Sequence, residues 1–219
     1  MIELGVNVME EKAYKNLKYI SSFPKDFDKN KKYPLLIHIH GAGGRGEDLS
    51  LLKQAGPLFE IENGKELPFI VIAPQCFADT WFEIMEQLLE FIDTMVDNKN
   101  VDKSRVYLSG VSMGGYTCWQ VAMIKPEIFS AIVPVCGGGM DWNAEKLKNT
   151  PIWAFHGAMD DVVCVSESIK MVNAVNKKGG NAKLTIYPDV KHNSWEKTFH
   201  NDELYAWLLE HNLEANVKE

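Results

Sequence analysis

The sequence has few cysteines, and they are not arranged in pairs. Cys76, Cys118, Cys136 and Cys164 are scattered, and no Cys-x-x-Cys spacing is present. This pattern provides neither a disulfide framework nor a zinc motif, and it favours isolated, mostly buried thiols in a reducing compartment. The chain as given also starts without the basic and apolar segments of a signal peptide. We therefore expect a cytoplasmic protein.

Long apolar runs and an excess of positive charge are absent too. No apolar stretch approaches the roughly 20 residues that are needed to cross a bilayer. The 23 Lys and Arg residues are outnumbered by 30 Asp and Glu residues, which gives a formal net charge of -7. Because an acidic surface does not attract phosphate backbones or anionic lipids, we expect neither nucleic acid nor membrane as a partner. The sequence does not indicate an oligomeric state.

Internal repeats and Pro/Ser-rich linkers are missing as well, so we expect one domain over residues 1–219. Short, nearly continuous apolar runs alternate with amphipathic segments, as expected of strands buried on both faces and of helices that cover them. This alternation predicts an α/β fold with a mainly parallel central sheet and helices on both faces. The predicted strands are residues 18–20, 35–39, 69–73, 105–109, 131–135, 152–155 and 183–187, and the predicted helices are residues 82–96, 116–124, 166–178 and 203–209.

A candidate nucleophile stands between a predicted strand and a predicted helix. Residues 110–114 read Gly-Val-Ser-Met-Gly and follow the strand 105–109 directly. A serine on such a sharp turn projects its hydroxyl above the carboxyl edge of the sheet, and the flanking glycines let the chain close around it. The pentapeptide alone also fits a glycine-rich loop. Its position between strand and helix favours Ser112 as a nucleophile.

A serine hydroxyl needs a base that removes its proton, and the base needs an acid that orients it. In chain order the acid and then the histidine should follow the serine. His192 lies just beyond the last predicted strand and fits the base, with His200 as a second candidate. For the acid we favour Asp160, which follows the strand 152–155, although Asp161 and Asp189 also lie in the right order.

The strand 35–39 leads into a loop with glycines at positions 41, 43, 44 and 46. The Gly-x-Gly-x-x-Gly spacing resembles a dinucleotide motif, but no acidic residue ends a second strand about 20 residues later. The loop fits an oxyanion hole instead, with the backbone N–H groups of Ala42 and Met113 as donors. Arg45 could attract an acidic substrate group or pair with Glu47 or Asp48.

With these residues in place, the chain from about residue 19 to 209 resembles the α/β-hydrolase superfamily. It is most similar to small esterases grouped with phospholipase/carboxylesterases, feruloyl esterases and prolyl-oligopeptidase-like hydrolases. The resemblance implies that Asp160 is the acid, that no metal or organic cofactor is needed, and that Gly41 and Trp81 contact the substrate. Lys191 stands where the family often has glycine, and it would lower the pKa of His192 if it pointed inward. The matching stretches are residues 33–43, 73–76, 110–116, 156–160 and 192–195.

These residues predict a serine hydrolase that cleaves a small-molecule carboxylic ester through an acyl-enzyme. The segment between residues 135 and 151 is too short for a large helical lid, so we expect an open pocket. A peptidase or amidase with the same triad is the first alternative, although such relatives usually carry an added domain. A non-catalytic binding protein is the second, and it conflicts with the presence of all three triad residues. A dienelactone-hydrolase-like enzyme would have cysteine at position 112.

Overall fold

A computed structural model describes residues 9–216 of the chain. Besides the strands and α-helices, short 3-10 helices occupy Ala42–Gly44, Leu49–Lys53 and Asp141–Leu147. The strands are β1 (Met9–Tyr14), β2 (Leu17–Ser22), β3 (Tyr33–Ile39), β4 (Ile70–Pro74), β5 (Val101–Val111), β6 (Ala131–Val135), β7 (Ile152–Gly157) and β8 (Ala182–Tyr187). The α-helices are α1 (Gly56–Glu62), α2 (Met85–Val96), α3 (Met113–Ile124), α4 (Ser166–Lys177), α5 (Trp195–His200), α6 (Asp202–Glu210) and α7 (Leu213–Asn216).

The eight strands form one sheet in the order β1-β2-β4-β3-β5-β6-β7-β8. β2 is antiparallel to both of its neighbours, β1 and β4. All strands from β4 to β8 in this order are parallel to one another. The predicted α/β fold with a mainly parallel sheet is therefore confirmed.

The core has two parts, one on each face of the sheet. Successive side chains of a strand point to opposite faces, and β3 shows this directly. Leu35, Ile37 and Ile39 join the cluster that packs against α2, α3 and α4, whereas Leu36 joins the cluster beneath α1, α5 and α6. Burial of both faces explains why the central strands have nearly continuous apolar sequences.

Some elements differ from the sequence-based prediction. β1 is the polar edge strand and was not predicted, because only its neighbour β2 contains an apolar run. The short helices α1 and α5 were also missed. Segment 18–20 was expected to pair near Val6, which lies outside the described residues; β2 pairs with β1 and β4.

The segment between β6 and β7 contains only the 3-10 helix Asp141–Leu147. As expected, the described part of the chain has no large lid over the carboxyl edge of the sheet. Within residues 9–216, no helix combines the length and the apolar character that crossing a bilayer requires.

Candidate active site

Ser112 occupies the turn between β5 and α3, at the carboxyl edge of the sheet. Its backbone angles are φ 53° and ψ -118°. A positive φ is unfavourable for a residue with a side chain, and such strain is found most often at functional sites. The turn also requires glycine on both sides. A Cβ at Gly110 would lie 2.1 Å from the Gly114 carbonyl oxygen, and one at Gly114 would lie 2.1 Å from the Ile39 carbonyl oxygen.

The loops that follow β7 and β8 are joined by backbone contacts. The Ala158 N–H donates to the Tyr187 carbonyl at 2.9 Å, and the Met159 N–H donates to the Val190 carbonyl at 3.0 Å. A Cβ at Gly157 would lie only 2.1 Å from the Lys191 carbonyl oxygen, so the two loops touch at this glycine. This contact brings the side chains that follow Met159 close to those that follow Val190.

Ser112, His192 and Asp160 form a continuous chain of hydrogen bonds. The Ser112 hydroxyl lies 2.8 Å from His192 Nε2, and His192 Nδ1 lies 2.8 Å from Asp160 Oδ2. The Asp160 side chain is fully buried, whereas the His192 side chain is 19% exposed. The histidine is thus accessible from the pocket, while the carboxylate behind it is shielded from water.

The Asp160 carboxylate is held in its ionised form by hydrogen bonds. Burial raises the pKa of this carboxyl, but hydrogen bonds from His192 and from the N–H groups of Val163 and Val162 outweigh that effect and lower the pKa below its ordinary value. The two backbone donors reach Asp160 Oδ1 at 2.8 and 2.9 Å. The carboxylate therefore receives donors on both oxygens, which fixes its orientation.

The other candidates for acid and base lie elsewhere. Asp161 pairs with Lys191 at 3.6 Å on the surface, where both side chains are about two-thirds exposed. Lys191 therefore contacts Asp161 and not His192. His200, at the end of α5, is 83% exposed and lies 3.3 Å from Glu60.

The glycine loop after β3 packs directly against the turn that carries Ser112. A Cβ at Gly41 would lie 3.3 Å from Ser112 Cβ. Ala42 is the first residue of the 3-10 helix Ala42–Gly44, and Met113 is the first residue of α3. The N–H groups at the first positions of helices have no partner within the helix. The N–H groups of Ala42 and Met113 therefore have no acceptor within their own helices.

Arg45 fixes this loop from outside. Its Nε donates to the Ala42 carbonyl at 2.9 Å, and its Nη1 donates to the Asp79 carbonyl at 2.9 Å. The two acidic residues considered as partners are engaged elsewhere: Glu47 pairs with Lys18, and the Asp48 carboxylate accepts from a backbone N–H two residues on. Arg45 thus anchors the glycine loop after β3 to the segment after β4.

His40 and Trp81 support the loop from below, and Trp81 is not where the sequence predicts it. His40 Nδ1 donates to the Gly41 carbonyl at 2.5 Å, and its Nε2 accepts from the Cys76 N–H at 2.9 Å. Burial lowers the pKa of His40 to about 4, so the ring is neutral. Trp81 is fully buried and donates to the His40 carbonyl at 3.1 Å. The expectation that Trp81 lines the pocket is wrong, because the tryptophan packs behind the loop.

A cavity of about 410 Å³ opens beside Ser112. Its wall includes Gly41, as expected, and His192. Most of its other side chains are apolar, and the sequence did not mark them as pocket residues, because only Val111 and Trp195 stand in stretches that carry a motif. They are Leu51, Leu52, Ala55, Val111, Val162 and Trp195. An apolar pocket of this size with a few polar groups at one end is typical of small-molecule sites.

His38 also lines this cavity. Its Nδ1 lies 2.9 Å from the Ser109 hydroxyl, and burial lowers the pKa of the ring to about 3. The imidazole is therefore neutral. Together with His40, it places a second uncharged histidine at the carboxyl end of β3.

Among the described residues, Cys136, Asp160 and His192 bring three possible metal-ligand atoms within 4.8 Å of one another. These groups fit a metal poorly. Burial raises the pKa of the Cys136 thiol to about 12, so it is not a thiolate at neutral pH. The other two side chains are hydrogen-bonded to each other at 2.8 Å. We therefore assign no metal to this group.

Known proteins with similar sequences and structures include both esterases and peptidases. A solved thermostable esterase is 31% identical, with a TM-score of 0.79 over 94% of this chain and 63% of its own. The protein named "Probable feruloyl esterase C" of Aspergillus niger is 24% identical over 82% of this chain and 68% of its own length. Dipeptidyl-peptidase 5 of Porphyromonas gingivalis is also 24% identical, over 77% of this chain.

The chain spans only 32% of that peptidase and about two thirds of the two esterases. The sequence model of the phospholipase/carboxylesterase family matches residues 72–205, which is more than half of the 219 residues. This match covers Ser112, Asp160 and His192. The chain belongs to the phospholipase/carboxylesterase family of α/β-hydrolases.

Proposed function

We propose that this chain is a serine hydrolase that cleaves carboxylic esters through an acyl-enzyme. The observation that carries the proposal is the chain of two 2.8 Å contacts from Ser112 through His192 to Asp160. A serine on a strained strand-to-helix turn, a histidine and a buried carboxylate in this order form the nucleophile, base and orienting acid of serine hydrolases. We also propose that residues 1–219 form one domain.

In the proposed mechanism, Ser112 Oγ attacks the ester carbonyl carbon while His192 Nε2 takes the hydroxyl proton. Asp160 holds the imidazole through Nδ1 and stabilises the imidazolium that forms. The carbonyl electron pair moves onto oxygen, and the N–H groups of Ala42 and Met113 donate to that oxyanion. His192 then protonates the leaving alcohol as the C–O bond breaks, which leaves the acyl group on Ser112. Water repeats the sequence and releases the acid.

The pocket supports an ester of modest size as the substrate. Its volume of about 410 Å³ and its apolar wall fit a small or extended acyl or alcohol group. Feruloyl and acetyl esters are the first classes to test, because relatives of the chain include a feruloyl esterase and an acetylxylan esterase. The four cysteines are unpaired, which supports a cytoplasmic location.

The experiment is a substrate panel with the wild type and the Ser112→Ala variant. It includes p-nitrophenyl esters, feruloyl esters, acetylated sugars and aminoacyl anilides. We expect ester hydrolysis by the wild type and a loss on the order of 10⁶-fold in kcat for Ser112→Ala. Faster cleavage of anilides than of esters would replace the esterase by a peptidase or amidase, the alternative that the similarity to dipeptidyl-peptidase 5 raises.

A further inference from the structure

A second imidazole contacts the carboxylate of Asp160. His156, near the end of β7, is fully buried. Its Nε2 lies 3.1 Å from Asp160 Oδ2 and 2.9 Å from the Val163 carbonyl oxygen. A carboxylate and a carbonyl oxygen are both acceptors, so Nε2 must carry a hydrogen to face them. The Nε2–H of His156 is therefore hydrogen-bonded to the Val163 carbonyl, and it lies close to the same carboxylate oxygen that accepts from His192.

This N–H acts on the donors around Asp160. Oδ1 accepts two backbone N–H groups, from Val162 and Val163, and Oδ2 accepts one N–H from His192. His156 Nε2 lies 3.1 Å from Oδ2, and its N–H holds the Val163 carbonyl and so restrains the segment that supplies the donors to Oδ1. A buried carboxylate with three donors has little freedom to rotate.

The other ring nitrogen of His156 also has a hydrogen-bond partner. Its Nδ1 lies 2.7 Å from the Ser168 hydroxyl, which can either donate to that nitrogen or accept from it. Ser168 belongs to α4, is fully buried, and lies 2.9 Å from the Gly137 carbonyl oxygen. The sequence of contacts from Asp160 to Gly137 therefore joins the loop after β7 to α4 and to the loop after β6.

We propose that His156 is a positioning residue that fixes Asp160 and shares its negative charge with His192. The inference rests on the proposed serine-hydrolase function. His156 does not line the cavity beside Ser112, so it acts on the substrate only through Asp160 and His192. Because its N–H lies 3.1 Å from the oxygen that accepts from His192, the N–H dipole makes that oxygen less basic and weakens its hold on the imidazolium form of His192.

The other titratable groups near this carboxylate are a thiol, a phenol and two carboxylates that are paired with lysines. Burial raises the pKa of the Cys136 thiol, on the loop after β6, to about 12. Burial also raises the pKa of the Tyr116 phenol on α3 above its ordinary value of 10.0. Glu167 of α4 pairs with Lys170, and Asp161 pairs with Lys191 near the surface. The acid limb is the part of the pH profile of kcat/KM in which activity falls as the pH is lowered. We therefore attribute a shift of the acid limb to the two histidines and Asp160.

The test compares His156→Gln with His156→Asn and His156→Leu in ester hydrolysis. Glutamine can place an amide N–H where Nε2 lies, whereas asparagine reaches only the Nδ1 side, and leucine has no donor. For asparagine and leucine we expect kcat to fall about ten- to a hundred-fold, the equivalent of one hydrogen bond to a charged group. KM should change less than about three-fold, because the substrate does not touch position 156.

The pH dependence separates positioning from general damage. In the asparagine and leucine variants the acid limb of kcat/KM should move to higher pH by about half a unit to one unit, because the carboxylate becomes more basic. In the His156→Gln variant the acid limb should stay near the pH at which the wild type has it. A purely structural role would lower activity without moving the limb, and this result would overturn the proposal. The proposal would also be overturned if all three variants had the kcat of the wild type and an acid limb at the same pH as the wild type.

His200→Leu is the matched control, because it removes another histidine–carboxylate contact, with Glu60, and neither residue lines the cavity beside Ser112. It should leave kcat and the acid limb unchanged. If leucine at position 156 prevents folding, as judged by circular dichroism, the glutamine and asparagine variants still decide the matter. A wild type without Ser112-dependent hydrolysis would contradict the proposed function itself. If the wild type is active and the His156 variants have the same kcat and acid limb, only the inference about His156 is contradicted.

Discussion

Two buried histidines at the end of β3 should make the fold less stable in acid. Burial lowers the pKa of His38 from its ordinary value of 6.5 to about 3, and that of His40 to about 4. At pH 5 both rings are neutral in the folded chain, whereas each is protonated in the unfolded chain. Uptake of protons on unfolding favours the unfolded state. The free energy of unfolding should therefore fall as the pH drops from about 6.5 towards 4.

The size of the effect follows from the two pKa values. With an unfolded value of 6.5, each histidine lowers the free energy of unfolding by about 2 kcal/mol between pH 8 and pH 5. The His38→Asn variant separates one of these contributions from the titration of carboxylates. Asparagine keeps a polar atom near the Ser109 hydroxyl, which lies 2.9 Å from His38 Nδ1, but it does not titrate.

The assay is urea-induced unfolding at pH 8, 6 and 5, with wild type, His38→Asn and His200→Asn. The asparagine at position 38 should reduce the loss of stability between pH 8 and pH 5 by about 2 kcal/mol. His200 is largely exposed, so His200→Asn should follow the wild type. If His38→Asn loses as much stability as the wild type over the same range, His38 is not a neutral buried group and the reasoning fails.

Two further predictions concern activity. Asp160→Asn should lower kcat on the order of 10⁴-fold, because the amide no longer orients the imidazole as a base. The control variant Asp161→Asn should behave as wild type in the same ester assay. Equal losses of kcat in the two variants would contradict the assignment of Asp160 as the acid. Arg45→Ala should lower kcat/KM about ten-fold or more, because the glycine loop that we propose as the oxyanion hole loses a charge-assisted hydrogen bond to the Ala42 carbonyl. Steady-state kinetics on one ester test this, and an unchanged kcat/KM would show that the loop holds its shape without Arg45.

The strands that stand out most clearly in the sequence are those that are buried on both faces of the sheet. β3 and β6 are covered on both faces, so their apolar sequences are nearly continuous and mark strands clearly. β1 has the sequence MEEKAY and forms the edge of the sheet, where only its pairing with β2 makes it a strand. Such pairing is a tertiary contact that local sequence does not encode. The helix α1 is only seven residues long and gives little periodic signal.

The choice between Asp160 and its neighbour shows where sequence reasoning ends. Chain order and loop position allow both aspartates as the acid. The structure distinguishes them because the N–H groups of Val162 and Val163 turn back onto Asp160, while Asp161 points to Lys191. These contacts depend on how the loop is folded. The position after the strand favoured Asp160 and the family resemblance also pointed to it, but the residues alone left Asp161 open.

His156 and Trp81 are two further residues whose surroundings were not predicted from the sequence. A histidine within an apolar strand has no sequence signal for a role beside Asp160, so its contact was missed. The family resemblance implied that Trp81 contacts the substrate, but Trp81 is fully buried and donates to the His40 carbonyl. Both outcomes depend on which way a side chain points, and this is set by packing.

Labelling with a fluorophosphonate followed by peptide mass spectrometry tests the central claim most directly. The probe reacts with a serine only where a neighbouring base and an oxyanion hole activate the hydroxyl. We predict one adduct per chain, on Ser112, and no adduct on the Ser112→Ala variant. A wild type that remains unlabelled while folded, or that carries its adduct on another residue, would contradict the account.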